Sequence, residues 1–195
     1  MKMQFRFSTV RRNPVKGTKS LLVPVLLAFC LMVFAGQAIA QETKPIPRDT
    51  LLAAAREIME ATRFCVLITL DETGHPRARA MDPFMPGENW VIYMGTNTMT
   101  RKVKDIERDP RVTLYYDHPG KAGYVVVFGT AKLVDDAESK AKWFKEEWAD
   151  FYTDREKDYV LIAVTPLKLE VIDYTKGIMG DKETWVAPSV EFQHR

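Results

Sequence analysis

A chain of 195 residues, 46% hydrophobic and 28% charged, is long enough to bury one substantial core and too apolar to remain unfolded. Its net charge of +2 arises at the N-terminus: residues 1–40 hold six of the 28 Lys and Arg and none of the 26 Asp and Glu, which leaves residues 41–195 at −4. That removes nucleic-acid binding as a reading of the basicity. Cys30 and Cys65 fall on opposite sides of residue 40, so the part beyond it cannot close an internal disulfide.

Residues 1–20 are basic, residues 21–36 (LLVPVLLAFCLMVFAG) are apolar, and Ala38-Ile39-Ala40 is a small-x-small cleavage signal before Gln41. This is the layout of a secretory signal peptide over residues 1–40, cleaved after Ala40. The expected location is periplasmic or secreted, with no membrane attachment after cleavage. An uncleaved anchor is the alternative, since residues 21–40 could just span a bilayer. Arg11-Arg12 partly matches a twin-arginine export signal.

Residues 41–48 form a polar lead-in. Asp49 is the expected N-cap of a first helix, with Leu51, Leu52, Ala55, Ile58, Met59 and Thr62 along one face. Residues 64–70 (FCVLITL) predict a strand, with Cys65 as a small buried hydrophobe. The turn Asp71-Glu72-Thr73-Gly74 leads into a second strand over 75–84. There Arg77, Arg79 and Met81 share one face and Ala78 and Ala80 the other, leaving room for something flat to lie against the backbone. A third strand follows over 90–95.

Asn97 or Thr98 is the expected N-cap of a second helix, on which Met99, Val103 and Ile106 hold helical spacing before Asp109-Pro110 ends it. Residues 111–117 and 123–134 predict strands, with Gly129 marking a bulge. Asp135-Asp136 caps a third helix carrying Ala137, Ala141, Phe144, Trp148 and Phe151, and Glu138 and Lys142 form an i, i+4 pair. Strands over 159–165 and 167–174 are separated by Pro166, and residues 175–195 read as an irregular tail. The fold class expected is mainly β (α+β): a six- to seven-stranded antiparallel barrel with peripheral helices. No GxGxxG, Walker loop, CxxC or HExxH motif occurs, and no hydrolase triad order.

The chemistry concentrates in the second helix. Arg101 and Lys102 occupy its first turn, where the dipole is already positive and acids are expected. A bound anion would resolve the conflict, and a helix start suits phosphate. The reading is a phosphate-bearing ligand held by this turn and by Arg77 or Arg79, with a solvated basic patch as the alternative.

GHPRARAM, NWVIYMGTNTMTRKVKDIERDPRVTLYYD and YVVVFGTAKLVDD together resemble the pyridoxamine 5′-phosphate oxidase-like split β-barrels, nearest to the general-stress-protein branch. The resemblance covers residues 49–174 and implies FMN bound at the interface of a homodimer. It implies that Arg79 reaches the phosphate while Ala80, Met81 and Asp82 lie along the isoalloxazine. Thr96 is retained from the family's Tyr-Thr pair, with Gly95 in place of the tyrosine. Thr100, Arg101 and Lys102 match the hydroxyl-Arg-Lys element. Tyr124 stands where the oxidase has glutamine, Phe84 where it has lysine, and the C-terminal Arg-x-His-x-Arg is missing. The resemblance therefore implies a flavin-dependent oxidoreductase with an unidentified small-molecule substrate, and not a true pyridoxamine-phosphate oxidase. A haem-binding barrel using His75 or His118, and a non-catalytic stress or ligand-binding protein, are the alternatives.

Overall fold

The computed structural model describes residues 45–193. The signal segment, its arginine pair and the cleavage site lie outside the described residues, as does His194. Helix α1 (Arg48–Ala61) buries Leu51, Ala54, Ala55, Ile58 and Met59 at the spacing of one helical face. Asp49 does not cap it. Pro47 holds the N-cap position with no side-chain bond, and Asp49 lies in the first turn, where its charge suits the dipole.

The strands are β1 (Cys65–Leu70), β2 (Pro76–Met81), β3 (Ile92–Asn97), β4 (Arg111–Asp117), β5 (Gly123–Val134), β6 (Tyr159–Asp173) and β7 (Ser189–Glu191). They pair antiparallel in the order β2-β1-β4-β5-β6-β3, with β7 added to β6. The two outer strands then meet. Pro83 bridges to Met94, and the Phe84 N–H donates to the Tyr93 carbonyl at 2.8 Å, so the curled sheet closes on itself. Inward residues such as Leu67, Ile92, Met94, Leu114, Val125, Val127 and Leu169 fill the interior with the buried face of α1.

Period-two alternation leaves a second face outside. Val66 and Ile68 on β1, Thr113 and Tyr115 on β4, and Tyr124 and Val126 on β5 are half-buried there, while Ala78 and Ala80 on β2 are exposed. Phe128 is 37% exposed. This outward face is thus more apolar than a solvated sheet usually is.

Three further expectations are corrected. Residues 159–165 and 167–174 are not two strands: β6 runs unbroken through Pro166. Pro166 stands opposite Gly129 at the register shift of β5, and a bulge is where a strand tolerates proline. Gly129 is required there, because a Cβ would lie 2.5 Å from the Thr165 carbonyl oxygen. The C-terminal tail is also not irregular throughout. After a 3-10 turn (Tyr174–Lys176), β7 pairs Val190 with Leu169, and both Ile178 and Val190 are buried.

The third correction concerns the helix after β5. Asp136 does cap it, accepting the Ser139 N–H at 2.8 Å, but helix α3 (Ala137–Lys142) stops before the aromatic residues. A 3-10 turn (Glu146–Trp148) and the short helix α4 (Arg155–Asp158) follow. Lys140, not Lys142, makes the ion pair, with Asp135 at 2.8 Å. Trp143 stacks on Tyr93 with centroids 4.6 Å apart, and Phe144 and Trp148 pack on Tyr159, while Phe151 is 76% exposed. Ring packing against the sheet has overridden the helical period. Gly95 on β3 makes this possible, since a side chain there would strike Tyr159 and Trp148.

Candidate functional site: a cationic corner at the start of a helix

Helix α2 (Arg101–Arg108) starts two or three residues later than expected from an N-cap at Thr98 or Asn97. Thr100 is its N-cap, with no side-chain capping bond, and no acid lies in the first turn. Asn97 instead accepts the Met99 N–H at 2.8 Å within the preceding turn. Met99 therefore precedes the helix and is 83% exposed, while Val103 and Ile106 are buried as the spacing predicts. Arg101 and Lys102 remain in the first turn.

Strand β2 settles which arginine faces this helix. Arg77 is half-exposed and pairs with Asp71 at 2.8 Å, away from the corner. Arg79 lies opposite Leu67 and turns inward. Its Nη1 donates to Thr69 Oγ1 at 2.7 Å, and its Nη2 lies 3.6 Å from Asp105 Oδ2. From α2, Lys102 Nζ donates to the buried Thr96 Oγ1 at 3.0 Å, and Thr100 Oγ1 lies 3.4 Å from the same oxygen. Three elements thus deliver Arg79, Thr96, Thr100 and Lys102 to one corner, with Arg101 exposed beside them.

The electrostatics show that the corner is cationic. Burial lowers the Lys102 pKa, and the charge of Arg79 lowers it further. Burial also lowers that of Arg79, where Asp105 opposes the shift and Arg101 and Arg77 add to it. Lys102 has no carboxylate partner among the described residues. Holding two half-buried cations this way is unfavourable alone, and an anion accepting from both would relieve it.

The remaining candidates stand elsewhere. Ala80 is exposed on the outward face, and Met81 is buried at 8% exposure. Asp82 lies beyond the end of β2, with Lys145 Nζ at 2.7 Å and Arg63 at 3.6 Å. The Phe84 ring packs edge-on against Trp143 and Trp148, with Lys145 Nζ 4.9 Å above its face. Tyr124 is not part of the corner within one chain. Ile68, next to Thr69, is level with Thr113 and Phe128, and Tyr124 is four residues further along β5, about 13 Å at strand rise. It faces outward, its ring 5.8 Å from that of Tyr115.

Both histidines offered for haem sit in turns rather than in the interior. His75 Nδ1 is 2.6 Å from Thr73 Oγ1, and His118 Nδ1 is 3.2 Å from the Pro119 carbonyl oxygen. Cys65 is buried, and burial pushes its thiol up to about 12, so it is no nucleophile at neutral pH. Among the described residues no three His, Cys, Asp or Glu side chains gather as a metal site.

Thr69, Asp105 and Lys145 were not singled out from sequence. Asp105 follows Arg101 by four residues and Lys102 by three, which reads as an ordinary exposed helix pair. Only the packing of α2 against β1 buries it, to 6% exposure. Lys145 carried no signal at all.

The sequence family described as pyridoxamine 5′-phosphate oxidase matches residues 51–173. No curated protein is significantly similar in sequence. Among solved structures, a Clostridium acetobutylicum protein related to general stress protein 26 of B. subtilis (pyridoxinephosphate oxidase family) is 22% identical, with a TM-score of 0.58. That match covers 66% of this chain and 92% of the other. A pyridoxamine 5′-phosphate oxidase-related, FMN-binding protein from Nostoc punctiforme is 15% identical, with a TM-score of 0.52 over 75% of this chain and 94% of that one. A heme-binding protein from Mycobacterium smegmatis is 18% identical, with a TM-score of 0.53 over 65% and 55%. At these identities the structures speak for the fold alone. The curled antiparallel sheet, the Arg79 strand and the Thr-Arg-Lys helix start all lie inside the matched span, and the chain belongs to the pyridoxamine 5′-phosphate oxidase-like family of split β-barrels.

Proposed function

We propose that this protein is an exported FMN-binding protein of oxidoreductase type, acting as a homodimer on a small-molecule redox substrate. The observation that carries the reading is the convergence of Arg79, Lys102, Thr96 and Thr100 from three elements, with Lys102 lacking any carboxylate partner among the described residues. A guanidinium, an ammonium, two hydroxyls and an uncapped helix start form the donor set that suits a phosphate monoester. FMN carries one, and its ring needs a flat surface such as the exposed Ala78 and Ala80 provide on β2. When bound, the flavin supplies the electron-transfer chemistry, and the residues named here hold and orient it.

The dimer proposal rests on the outward sheet face. Its half-buried Val66, Ile68, Tyr115, Tyr124 and Val126 form an apolar surface that a second copy would cover. Phe84, packed among Trp143 and Trp148, supplies no cation itself, and Lys145 above its ring is already paired with Asp82 at 2.7 Å, which argues against true pyridoxamine-phosphate oxidase activity. The Mycobacterium smegmatis neighbour supports a haem reading, but the turn positions of His75 and His118 weigh against it.

Purified protein is expected to be yellow and to release FMN on denaturation. Colourless protein that fails to take up added FMN would refute the proposal, and a Soret band would replace it with haem. Export in a folded, flavin-loaded state predicts that Arg11→Lys with Arg12→Lys retains the protein in the cytoplasm. Unchanged export of that variant points to an unfolded route.

A further inference from the structure

Beneath the cationic corner lies a buried polar pair that touches no solvent-facing ligand position. Asp105, in the second turn of α2, is 6% exposed, and Thr69 on β1 is fully buried. The Thr69 hydroxyl donates to Asp105 Oδ2 at 2.8 Å and accepts from Arg79 Nη1 at 2.7 Å. Arg79 Nη2 reaches the same Asp105 oxygen at 3.6 Å, while Asp105 Oδ1 lies 3.4 Å from Arg108 Nη2. Arg108 in turn donates to the Leu70 carbonyl at 2.7 Å, which ties the helix to the end of β1.

These bonds add to a spacing that the β1–β2 pairing and the packing of α2 on β1 already set, and they reach the guanidinium itself. Arg79 comes from an edge strand, and Lys102 comes from α2, one turn before Asp105. A guanidinium on an edge strand ordinarily samples many rotamers, and ordering it on binding costs affinity. Here a buried carboxylate and a buried hydroxyl hold one side of its fork. The remaining N–H groups are left for an outside acceptor.

We propose that Asp105 and Thr69 are positioning residues that pre-set Arg79 against Lys102 for a phosphate monoester, so that they govern discrimination between a phosphorylated ligand and its dephosphorylated form. This rests on the phosphate reading of the corner. It makes a prediction opposite to simple charge counting. Asp105 is the one acid facing Arg79 among the described residues, so its removal would strengthen phosphate binding if charge alone mattered. If positioning matters, its removal weakens binding.

The test is titration of flavin-free purified protein with FMN and with riboflavin, followed by flavin fluorescence, and the readout is the ratio of the two affinities. Thr69→Val removes the hydroxyl without changing charge, and is expected to lower that ratio about tenfold. Thr69→Ser keeps the hydroxyl and is expected to retain the ratio. Asp105→Asn is expected to lower it by a similar factor, with riboflavin affinity unchanged in all three. A purely structural role would lower both affinities together and leave the ratio alone, which would overturn the proposal. A ratio that rises in Asp105→Asn would overturn it too. If Thr69→Val does not fold, Asp105→Asn and Thr69→Ser decide between these outcomes unaided. Wild-type protein that binds FMN no better than riboflavin would end the phosphate reading itself, and this proposal with it. Normal wild-type discrimination that persists in Thr69→Val and Asp105→Asn would end only the proposal.

Discussion

Two neighbouring residues of β3 face opposite environments. Thr96 turns inward to Lys102, in a corner where half-buried cations outnumber their acids. Gly95 turns outward beneath Tyr159 and Trp148, in a bank of aromatic rings that fills its space completely. The aromatic bank is finished by the chain itself: Trp143 stacks on Tyr93, Phe84 meets both tryptophans, and the Tyr159 hydroxyl donates to the Trp143 carbonyl. The cationic corner is not finished, because its amine and guanidinium still have donors to spare. The comparison separates packing that serves stability from polar geometry that costs stability, which is what the proposed phosphate site would require.

Perturbing the aromatic bank is expected to unfold the protein before it touches ligand specificity. Tyr159 is fully buried, and Tyr159→Ala is expected to cost about 3–5 kcal/mol, read from the midpoint of urea denaturation. Lys102→Ala should do the reverse. It is expected to leave the denaturation midpoint unchanged or slightly raised, while FMN affinity falls about tenfold to hundredfold and riboflavin affinity holds. If Lys102→Ala destabilises as much as it weakens FMN, the two regions do not differ as described. Gly95→Ala tests the wall from its thin side, and overpacking against Tyr159 and Trp148 is expected to cost about 1–3 kcal/mol in the same denaturation experiment.

The smallest effect concerns acid, at the far end of α2. Hydrogen bonds from Arg111 hold the Asp109 carboxyl down to about 2, below its ordinary value of 3.8. A depressed pKa contributes stability above the unfolded value, and that contribution fades as the pH falls from 3.8 toward 2. Asp109→Asn should therefore narrow the stability gap to wild type in that window, as seen in denaturation at a series of pH values. Because Asp109 is only half-buried and its partner Arg111 is exposed, the change is expected to be slight.

Much of this molecule was readable along the chain. The β1–β2 hairpin, the β4 and β5 strands and the bulge at Gly129 follow from alternation, turn chemistry and a glycine amid β-branched residues. The family resemblance named Arg79 and Lys102, and Arg79 does face the helix. Three features failed to show because each depends on a partner distant in sequence. Pro166 looks like a break until Gly129 is placed opposite it. Phe144 and Trp148 look helical until Tyr159 and Gly95 are placed beneath them. Asp105 looks solvated until β1 covers it.

Sequence alone therefore determined the strand periods, the turn positions and the presence of two cations at a helix start, since these rest on local sterics and on charge order along the chain. The tertiary structure decided which arginine joins those cations, which acid sits behind them and which aromatic residues leave the helix. Those outcomes depend on curling the sheet until β2 meets β3 and on laying α2 across the end of β1. Burial and hydrogen-bond partners across such separations are properties of the curled sheet and its helices, and no local stretch of the chain carries them.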